Sequence, residues 1–394
     1  MKYQLFRMPS AEPVCSGLAD RIGQPTATIR HKLLNGEEKQ AEQTLSLPDH
    51  ETALLEVLRL LTDGTYGAIS HADEIEVVGH RVVHGGERFH QATLITRAVK
   101  EEIQKLFSLA PLHNPPSYTG IVVAEKVFTK ARQVAIFDTA FHQTMPEHAF
   151  RYAIPRSLYE QQNIRVYGFH GTSHKYVSRQ AMKYLDNPDA ALISIHLGSG
   201  CSITAVKAGR SVDTSMGFGP LSGLVMGTRS GDIDPSVVFY LVNELGYEAA
   251  AVSELLNKKS GMLGMTGCSD MRDVGRLVRE GDQEAELACQ IYAYRIRKYI
   301  GAYAAVLNRL DAIIFTAGVG ENDKAMRERI CHNLDYLNIA LDAEKNRSHQ
   351  GGIGDIGRDD SPVKILVIPT NEELEIARQC FGLLSADEAG GESL

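Results

Sequence analysis

Two glycine-rich segments directly follow apolar stretches of this sequence. His196-Leu-Gly-Ser-Gly-Cys-Ser202 lies between two apolar stretches, and Ala312-Ile-Ile-Phe-Thr-Ala-Gly-Val-Gly-Glu-Asn322 leads from one into the start of a helix. Glycine lets the backbone approach a phosphate closely, and a helix N-terminus attracts anions. Neither segment contains a P-loop or the dinucleotide pattern G-x-G-x-x-G. The first is equally compatible with a plain hairpin turn, so phosphate binding is inferred from the two segments together.

A third segment, from Asp213 to Pro235, gathers many glycines around a single arginine, Arg229. Its spacing fits neither a regular helix nor a regular strand. A long loop of this kind inside a compact domain usually serves a functional site.

Histidines occur in two pairs with four-residue spacing, His80 with His84 and His170 with His174. This spacing could serve zinc on a helix, but the neighbouring glycines disfavour a helix and no H-E-x-x-H motif is present. We therefore expect these histidines to donate hydrogen bonds to an anion rather than to bind a metal.

The composition is that of a globular protein acting on small molecules. The 394 residues suit two domains, with 43% hydrophobic and 23% charged residues. The formal charge of −8 argues against a nucleic-acid or anionic-membrane partner. The six cysteines form no C-x-x-C pair, and no signal peptide or membrane-spanning run is evident. We expect a cytoplasmic location.

The elements that must position these residues alternate between strands and helices, which predicts an α/β fold. We predict a loop over residues 346–362 and frayed ends for the last dozen residues. Helices are predicted at 51–61, 235–245 and 288–310, and strands at 2–6, 76–79, 133–137, 191–195, 202–206, 312–315 and 363–368.

Six runs distributed along nearly the whole chain resemble the family of acetate kinase and propionate kinase. All six occur in the order that the family has. They are Val78-Gly-His-Arg-Val-Val-His-Gly-Gly-Glu, Ala110-Pro-Leu-His-Asn-Pro-Pro, Phe137-Asp-Thr-Ala-Phe-His-Gln-Thr-Met-Pro, Gly168-Phe-His-Gly-Thr-Ser-His, Met226-Gly-Thr-Arg-Ser-Gly-Asp and Thr370-Asn-Glu-Glu-Leu.

The resemblance implies the fold of the superfamily that includes sugar kinases, actin and Hsp70. Such proteins have two ribonuclease-H-like domains, with ATP and Mg²⁺ in the cleft between them. The final helix returns to the first domain, so the expected domains are residues 1–138 with 373–394, and residues 139–372. The implied activity is reversible Mg²⁺-dependent phosphoryl transfer from ATP to acetate, in a homodimer that binds neither nucleic acid nor membrane.

The resemblance also assigns catalytic residues. Arg81 and Arg229 would flank the carboxylate and the moving phosphoryl group, and His170 would stabilise the transition state. Asp138 matches a catalytic aspartate, but a carboxylate substrate is already ionised at neutral pH and needs no general base. We therefore favour Asp138 as an organiser of Mg²⁺ (or Mn²⁺), with a carboxyl group of raised pKa as the alternative. Glu372 matches a metal-site carboxylate.

The remaining implied residues bind the substrates. A small apolar pocket would hold the alkyl end of the acid, lined by Val83, Leu112, Phe169 and Pro220. Val83 favours acetate, because propionate kinases carry a smaller residue there to accommodate one more methylene. The residues implied at ATP are Lys2, His196, Leu197, Gly198, Ser199, Gly200, Asp270, Met271, Arg272, Gly318, Val319, Gly320, Glu321 and Asn322.

Relative to the family, the sequence is expected to lack an initial strand and its phosphate-binding turn, Asn-x-Gly-Ser-Ser-Ser-x-Lys, with Lys2 aligned on the lysine. The expected loss is roughly a dozen residues, enough for one short strand and a turn. Three alternatives to acetate kinase remain at this point. They are a propionate kinase, a catalytically impaired nucleotide-binding remnant, and a metal-dependent hydrolase that uses the histidines.

Overall fold

The computed structural model describes residues 1–34, 39–111 and 113–390, apart from the side chains of residues 387–390. The chain divides into a first unit, Met1–Ala140 with Asn371–Leu394, and a second unit, Phe141–Thr370. Within the described ranges, no helix combines the length and the apolar character needed to cross a membrane.

Strands and helices alternate along much of the chain, which confirms the predicted α/β class. The strands are β1 (Lys2–Arg7), β2 (Glu12–Asp20), β3 (Ala27–Leu33), β4 (Lys39–Leu45), β5 (Val77–Val82), β6 (Thr93–Leu94), β7 (Arg132–Phe137), β8 (Ala191–Leu197), β9 (Cys201–Lys207), β10 (Arg210–Thr214), β11 (Ala312–Thr316), β12 (Gly354–Asp355) and β13 (Lys364–Val367). The helices are α1 (His50–Leu61), α2 (Arg97–Lys105), α3 (Asn114–Val127), α4 (Glu147–Phe150), α5 (Arg156–Gln162), α6 (Gly171–Tyr184), α7 (Pro235–Asn243), α8 (Ala249–Lys258), α9 (Gly261–Thr266), α10 (Met271–Arg279), α11 (Gln283–Leu307), α12 (Ala317–Asn322), α13 (Lys324–Cys331), α14 (Ala343–Ser348) and α15 (Glu372–Gly390).

The first unit contains two sheets. Strands β1-β2-β3-β4 form an antiparallel sheet, and β5-β7-β6 form a second one in which β5 and β7 are parallel. Helix α15 packs closely on β5, because a Cβ atom at Gly79 would lie 2.6 Å from Ile376 and 2.8 Å from the sulfur of Cys380. Glycine at this position therefore lets the last helix approach the strand that carries Arg81.

The second unit is built on one sheet of order β10-β9-β8-β11-β13-β12. Strands β8, β11 and β13 are parallel, whereas β9, β10 and β12 run antiparallel to their neighbours. Every residue of β8 and of β11 is buried, as expected for central strands with helices on their faces. The ends of these two strands carry the glycine-rich segments.

The structure confirms the predicted strands and the three predicted helices, but it corrects two other predictions. The segment 346–362 is not entirely loop, since Asn346 lies in α14 and β12 pairs with β13. The buried Asn346 side chain accepts a hydrogen bond from Arg327, which ties the start of this segment to α13. The chain end does not fray from residue 383, because α15 continues to Gly390; residues 391–394 lie outside the described part.

Candidate active site

Two carboxylates and one arginine cluster in the first unit. Arg81 donates from Nε to Asp138 Oδ1 at 3.1 Å and Oδ2 at 3.0 Å, and from Nη2 to Oδ2 at 2.7 Å. Its Nη1 lies 3.7 Å from Oε2 of Glu372. Arg81 thus joins two acidic side chains that are far apart in sequence, and Asp138 raises the pKa of the Arg81 guanidinium above its ordinary value.

The parallel pairing of β5 and β7 explains this arrangement. Val82 pairs with Phe137, so Asp138, which directly follows β7, hydrogen-bonds through its backbone N–H to the carbonyl of Val82. Arg81 lies one residue earlier on β5, and Glu372 begins α15, which packs against that strand. The carboxyl ends of parallel strands form the usual site edge of an open α/β sheet.

The carboxyl group of Glu372 is buried and incompletely hydrogen-bonded. Its Oε1 atom is buried and has no hydrogen-bond partner among the residues that the structure describes. Burial, only partly offset by Arg81, raises its pKa. Mg²⁺ binds through one or two carboxylates, with waters and phosphate oxygens completing the shell, so Glu372 and Asp138 fit this ion. Among the described residues there is no group of three or more His, Cys, Asp or Glu that could hold a metal.

In the second unit, His170 and Arg229 both lie close to Gly200. A Cβ atom at Gly200 would lie 3.4 Å from Nε2 of His170 and 3.6 Å from Nη1 of Arg229. His170 adopts a left-handed backbone conformation, with φ of 55°, directly before α6, and its ring stacks on His196 at 4.3 Å between centroids. A non-glycine residue in this conformation is strained, which is common at functional sites.

Arg229 is a partly buried guanidinium, and no carboxylate of the described chain pairs with it. Its Nη1 donates to the carbonyl of Pro220 at 3.2 Å, and burial lowers its pKa. The loop that carries it is anchored on both sides: Gly227 N–H donates to the Ser199 carbonyl, and Ser230 N–H to that of Leu256. Such a held, uncompensated cation is suited to an anionic ligand.

A buried polar chain lies behind His170, and the sequence analysis did not find it. His174 bonds through Nδ1 to the hydroxyl of Ser194 at 2.8 Å and through Nε2 to that of Ser202 at 2.7 Å. Ser202 also bonds to Nδ1 of His170 at 2.9 Å. The expectation that His174 donates to an anion is wrong, because both its ring nitrogens bond to buried serines. Its position one helical turn after His170 is the signal that could have placed it.

His80 and His84 also bond to the protein. His80 Nε2 lies 2.8 Å from Oε1 of Gln133. His84 Nδ1 accepts from the N–H of Gly86 at 3.0 Å, and burial lowers the His84 pKa to about 4. These contacts do not support the prediction that the two side chains serve an anion.

The first glycine-rich segment forms the turn between β8 and β9. Leu197 pairs with Cys201, and Gly198 N–H donates to the carbonyl of Gly200 at 3.0 Å. Ser199 is exposed at its tip, and His196, at the end of β8, bonds through Nδ1 to Ser173 at 2.8 Å. The segment is thus a hairpin turn, as one of the two interpretations allowed, and it carries His196 toward His170.

The second glycine-rich segment runs from β11 into α12, as predicted. The Oε1 atom of Glu321 accepts from the N–H groups of Ala317 and Thr370, so this carboxylate fixes the turn itself. Arg327, which is fully buried, donates to the carbonyls of Gly320 and Glu321. A Cβ atom at Gly318 would meet no atom of the described residues within 4 Å, which leaves open space there for a ligand.

Asp270 and Arg272 lie at the start of α10, also in the second unit. Asp270 accepts from the Arg272 N–H, and the two side chains form an ion pair at 2.5 Å. The Arg272 side chain is highly exposed, whereas Met271 is nearly buried. The proposed nucleotide role of these residues therefore rests on side chains that are already paired with each other.

The residues predicted to bind the substrate's alkyl end are distributed over both units. Val83, just after β5, is half-buried in the first unit. In the second unit Phe169 is buried and Pro220 is half-buried. Leu112 lies outside the described residues. Lys2, predicted at the nucleotide, forms an ion pair with Glu373 at 2.7 Å.

Comparisons with known proteins agree with one another. The sequence model of the Acetokinase family matches residues 1–378. A curated acetate kinase from Flavobacterium johnsoniae is 53% identical over 384 residues, covering 98% of this chain and 96% of that protein. The crystal structure of Porphyromonas gingivalis acetate kinase superposes with a TM-score of 0.90 at 42% identity, over 97% of this chain and 96% of that one. A propionate kinase from Francisella tularensis gives 0.90 and 42%, over 96% and 95%.

Proposed function

The chain belongs to the acetokinase family, and we propose that it catalyses the reversible Mg²⁺-dependent transfer of the terminal phosphoryl group of ATP to acetate. The products are acetyl phosphate and ADP. The observation that carries this proposal is the convergence of His170 and Arg229 beside Gly200, with Arg229 lacking a carboxylate partner among the described residues.

His170 and Arg229 would act on the phosphoryl group. In phosphoryl transfer, charge spreads over the equatorial oxygens, and the protein contributes chiefly by positioning and by electrostatic stabilisation. The fixed N–H groups of these two side chains supply donors to those oxygens. Because Arg229 is held by its own loop and by the Pro220 carbonyl, its donors need little reorganisation during the reaction.

Arg81 would bind the carboxylate of the substrate. Its guanidinium is fixed by Asp138 through Nε and Nη2, and 39% of the side chain remains exposed. The substrate carboxylate is ionised at neutral pH and attacks without a general base, so Asp138 is needed as an acceptor and a charge rather than as a base.

Asp138 and Glu372 would hold Mg²⁺, which is the metal that the family uses. When bound, the ion neutralises charge on the phosphate oxygens of the nucleotide. The buried Oε1 of Glu372, which has no hydrogen-bond partner in the described ranges, is the atom that best fits this role.

ATP would bind to the second unit, at the turns before Cys201 and after Thr316. The short α12 alone does not make an anion site, but the open space at Gly318 adds room for a ligand at this turn. Arg272 and Asp270, at the start of α10, would serve the same nucleotide.

Propionate is the second candidate substrate, since a propionate kinase structure is as similar as an acetate kinase structure. Acetate is favoured because Val83 is larger than the residue expected in propionate kinases. One methylene in such a pocket is worth about 1 kcal/mol, so we expect a preference rather than exclusion.

Hydroxylamine trapping tests the proposal directly. The purified chain, with ATP and Mg²⁺, should convert acetate into acetyl phosphate, which hydroxylamine traps as acetohydroxamate. Arg229→Leu should abolish the product, whereas Arg30→Leu, at an exposed Arg30–Glu42 pair, should leave it unchanged. Absence of hydroxamate from every acid of two to four carbons, or activity that persists without nucleotide, would contradict the proposal.

We also propose a homodimer that forms through α7 and the turn that follows it. Large apolar side chains are exposed there in unusual density, with Phe239 64% and Tyr240 57% exposed. Others are Val237 on α7, Leu245 and Tyr247 after it, and Ile233 just before it. Contiguous apolar surface of this kind generally marks an interface.

For location we propose the cytoplasm, where ATP is available. All six cysteines are free thiols, which suits a reducing compartment. Fractionation of cells that express the tagged chain would test this, and recovery in the membrane or secreted fraction would contradict it.

A further inference from the structure

The Ser202 hydroxyl lies between two imidazole rings and can donate only one hydrogen bond. It is fully buried, 2.9 Å from Nδ1 of His170 and 2.7 Å from Nε2 of His174. A serine hydroxyl donates one hydrogen bond and can accept others. If it donates to one ring, it must accept from the other, so just one of the two facing nitrogens carries a hydrogen. The tautomers of His170 and His174 are therefore coupled.

The hydrogen bonds Ser194–His174–Ser202–His170 can run in either of two directions. The environment of His174 and Ser194 decides which one forms. His174 is completely buried beside His142 and His196, and its pKa lies well below the ordinary value, so the ring is neutral and carries one hydrogen. Its Nδ1 faces the Ser194 hydroxyl, which has no other hydrogen-bond partner in the described part of the chain.

In one direction, every hydrogen between the Ser194 hydroxyl and Nδ1 of His170 has an acceptor. Ser194 donates to Nδ1 of His174, Nε2–H of His174 donates to Ser202, and Ser202 donates to Nδ1 of His170. In the reverse direction, Nδ1–H of His174 donates to Ser194, whose own hydrogen is then left without an acceptor in a fully buried position. A buried donor without a partner costs about 1–3 kcal/mol, so the first direction is the stable one.

We propose that Ser202 is a positioning residue that fixes the tautomer of His170, with Nδ1 as acceptor and the hydrogen on Nε2. That hydrogen lies on the edge of the ring next to Gly200, and Nη1 of Arg229 is also within 3.6 Å of the Cβ position at Gly200. The inference rests on the proposed function, because the Nε2–H group is then a neutral donor aimed at the phosphoryl oxygens. The other tautomer would present a lone pair to those oxygens and would repel them.

Histidine nitrogen NMR tests the tautomer without any turnover. In the chain labelled with ¹⁵N-histidine, His170 is assigned by the signals lost in His170→Gln. At neutral pH its Nδ1 should show the shift of an unprotonated nitrogen and its Nε2 that of a protonated one. A hydrogen on Nδ1, alone or together with one on Nε2, would overturn the proposal even if no variant folds. A chain that forms no hydroxamate but shows the expected tautomer would refute the proposed function alone.

Variants test the role of the hydroxyl. Ser202→Ala should produce a mixture of His170 tautomers and lower kcat about tenfold, with KM for ATP and acetate within about threefold, because the lost donor acts mainly in the transition state. Ser202→Thr keeps a hydroxyl and should restore both the single His170 tautomer and the wild-type kcat. Ser211→Ala is the matched control, since Ser211 is also buried and bonds to a histidine, His142. An unchanged tautomer or an unchanged kcat in Ser202→Ala, or equal losses in Ser211→Ala, would overturn the proposal.

Discussion

Asp138 is 1% exposed, and Arg81 holds it through three N–H···O contacts of 2.7–3.1 Å while the arginine itself remains 39% exposed. The pair therefore has a buried anionic end and an accessible cationic end. This is the arrangement needed to present a fixed guanidinium to a carboxylate substrate, since the fork of donors is oriented before the substrate arrives.

Replacing Asp138 by Asn should lower kcat by on the order of 100-fold, because the amide keeps the shape but loses the charge that fixes Arg81 and attracts a metal. Steady-state kinetics with acetate and ATP would measure this. Glu42→Gln breaks an exposed pair with Arg30 and should change nothing. Equal activity in the wild-type chain and Asp138→Asn would exclude a role for the Asp138 charge.

Glu372→Gln should weaken metal binding by at least about tenfold, since even outer-shell partners of a metal are worth that much. The readout is direct binding of Mn²⁺ in the presence of ADP, followed by electron paramagnetic resonance, so it does not depend on turnover. Glu373→Gln is the matched control, because that neighbouring carboxylate pairs with Lys2. Unchanged Mn²⁺ affinity in Glu372→Gln would show that the metal binds elsewhere.

Val83→Ala should shift the preference toward propionate. The removed methyl groups leave room for one more methylene, so the ratio of kcat/KM for propionate over acetate should rise about fivefold, equivalent to about 1 kcal/mol. Val99→Ala alters another half-buried valine of the first unit, on α2, and should leave the ratio unchanged. A ratio that does not move would remove Val83 from the pocket.

Sequence patterns predicted the parts of the fold that have strong local signals. Strand β8 and helix α11 were evident from their apolar residues, and the turns beside them from their glycines. Patterns did not reveal β2, β3 and β4: burial alternates irregularly along β2 and only weakly along β4, and the alternation of β3 involves the small Ala27 and the polar His31 among its buried positions.

The missed parts of the site depend on contacts between distant residues. Nothing in the local sequence of Ser202 shows that its hydroxyl bridges His170 and His174, because β9 and α6 are brought together only by the folded sheet. Likewise, the local sequence predicts an ordinary exposed arginine at Arg327, on a polar helix. In the structure it is fully buried and donates a hydrogen bond to the carbonyl of Gly320. Family resemblance identified His170, whereas only the structure shows what orients it.

Acid should destabilise the first unit through His84. Burial lowers its pKa to about 4, below the value of about 6.5 expected in the unfolded chain. The unfolded state therefore binds more protons between these two values. Stability is fully present above about pH 6.5 and falls as the pH drops toward 4, by up to about 3 kcal/mol from this residue alone.

His84→Asn should reduce this loss, because Asn can still accept the hydrogen bond from Gly86 but does not titrate. Urea unfolding at pH 7 and pH 5 would give the difference, expected to be about 2 kcal/mol smaller in the variant than in the wild type. His90→Asn, at an exposed histidine, should keep the wild-type dependence. The same loss in His84→Asn as in the wild type would exclude His84 as its source.

Phe239→Glu should dissociate the proposed homodimer. Phe239 is 64% exposed on α7 among several other exposed apolar side chains, and a charge buried in an apolar interface has no partner to offset its lost hydration. Light scattering after size exclusion should give the mass of two chains for the wild type and of one, 43.2 kDa, for the variant. Tyr336→Glu is the control, because Tyr336 is 74% exposed but lies far along the chain from this patch. A monomeric wild type would contradict the proposed dimer. Dissociation by Tyr336→Glu rather than by Phe239→Glu would show that the interface includes Tyr336 and not α7.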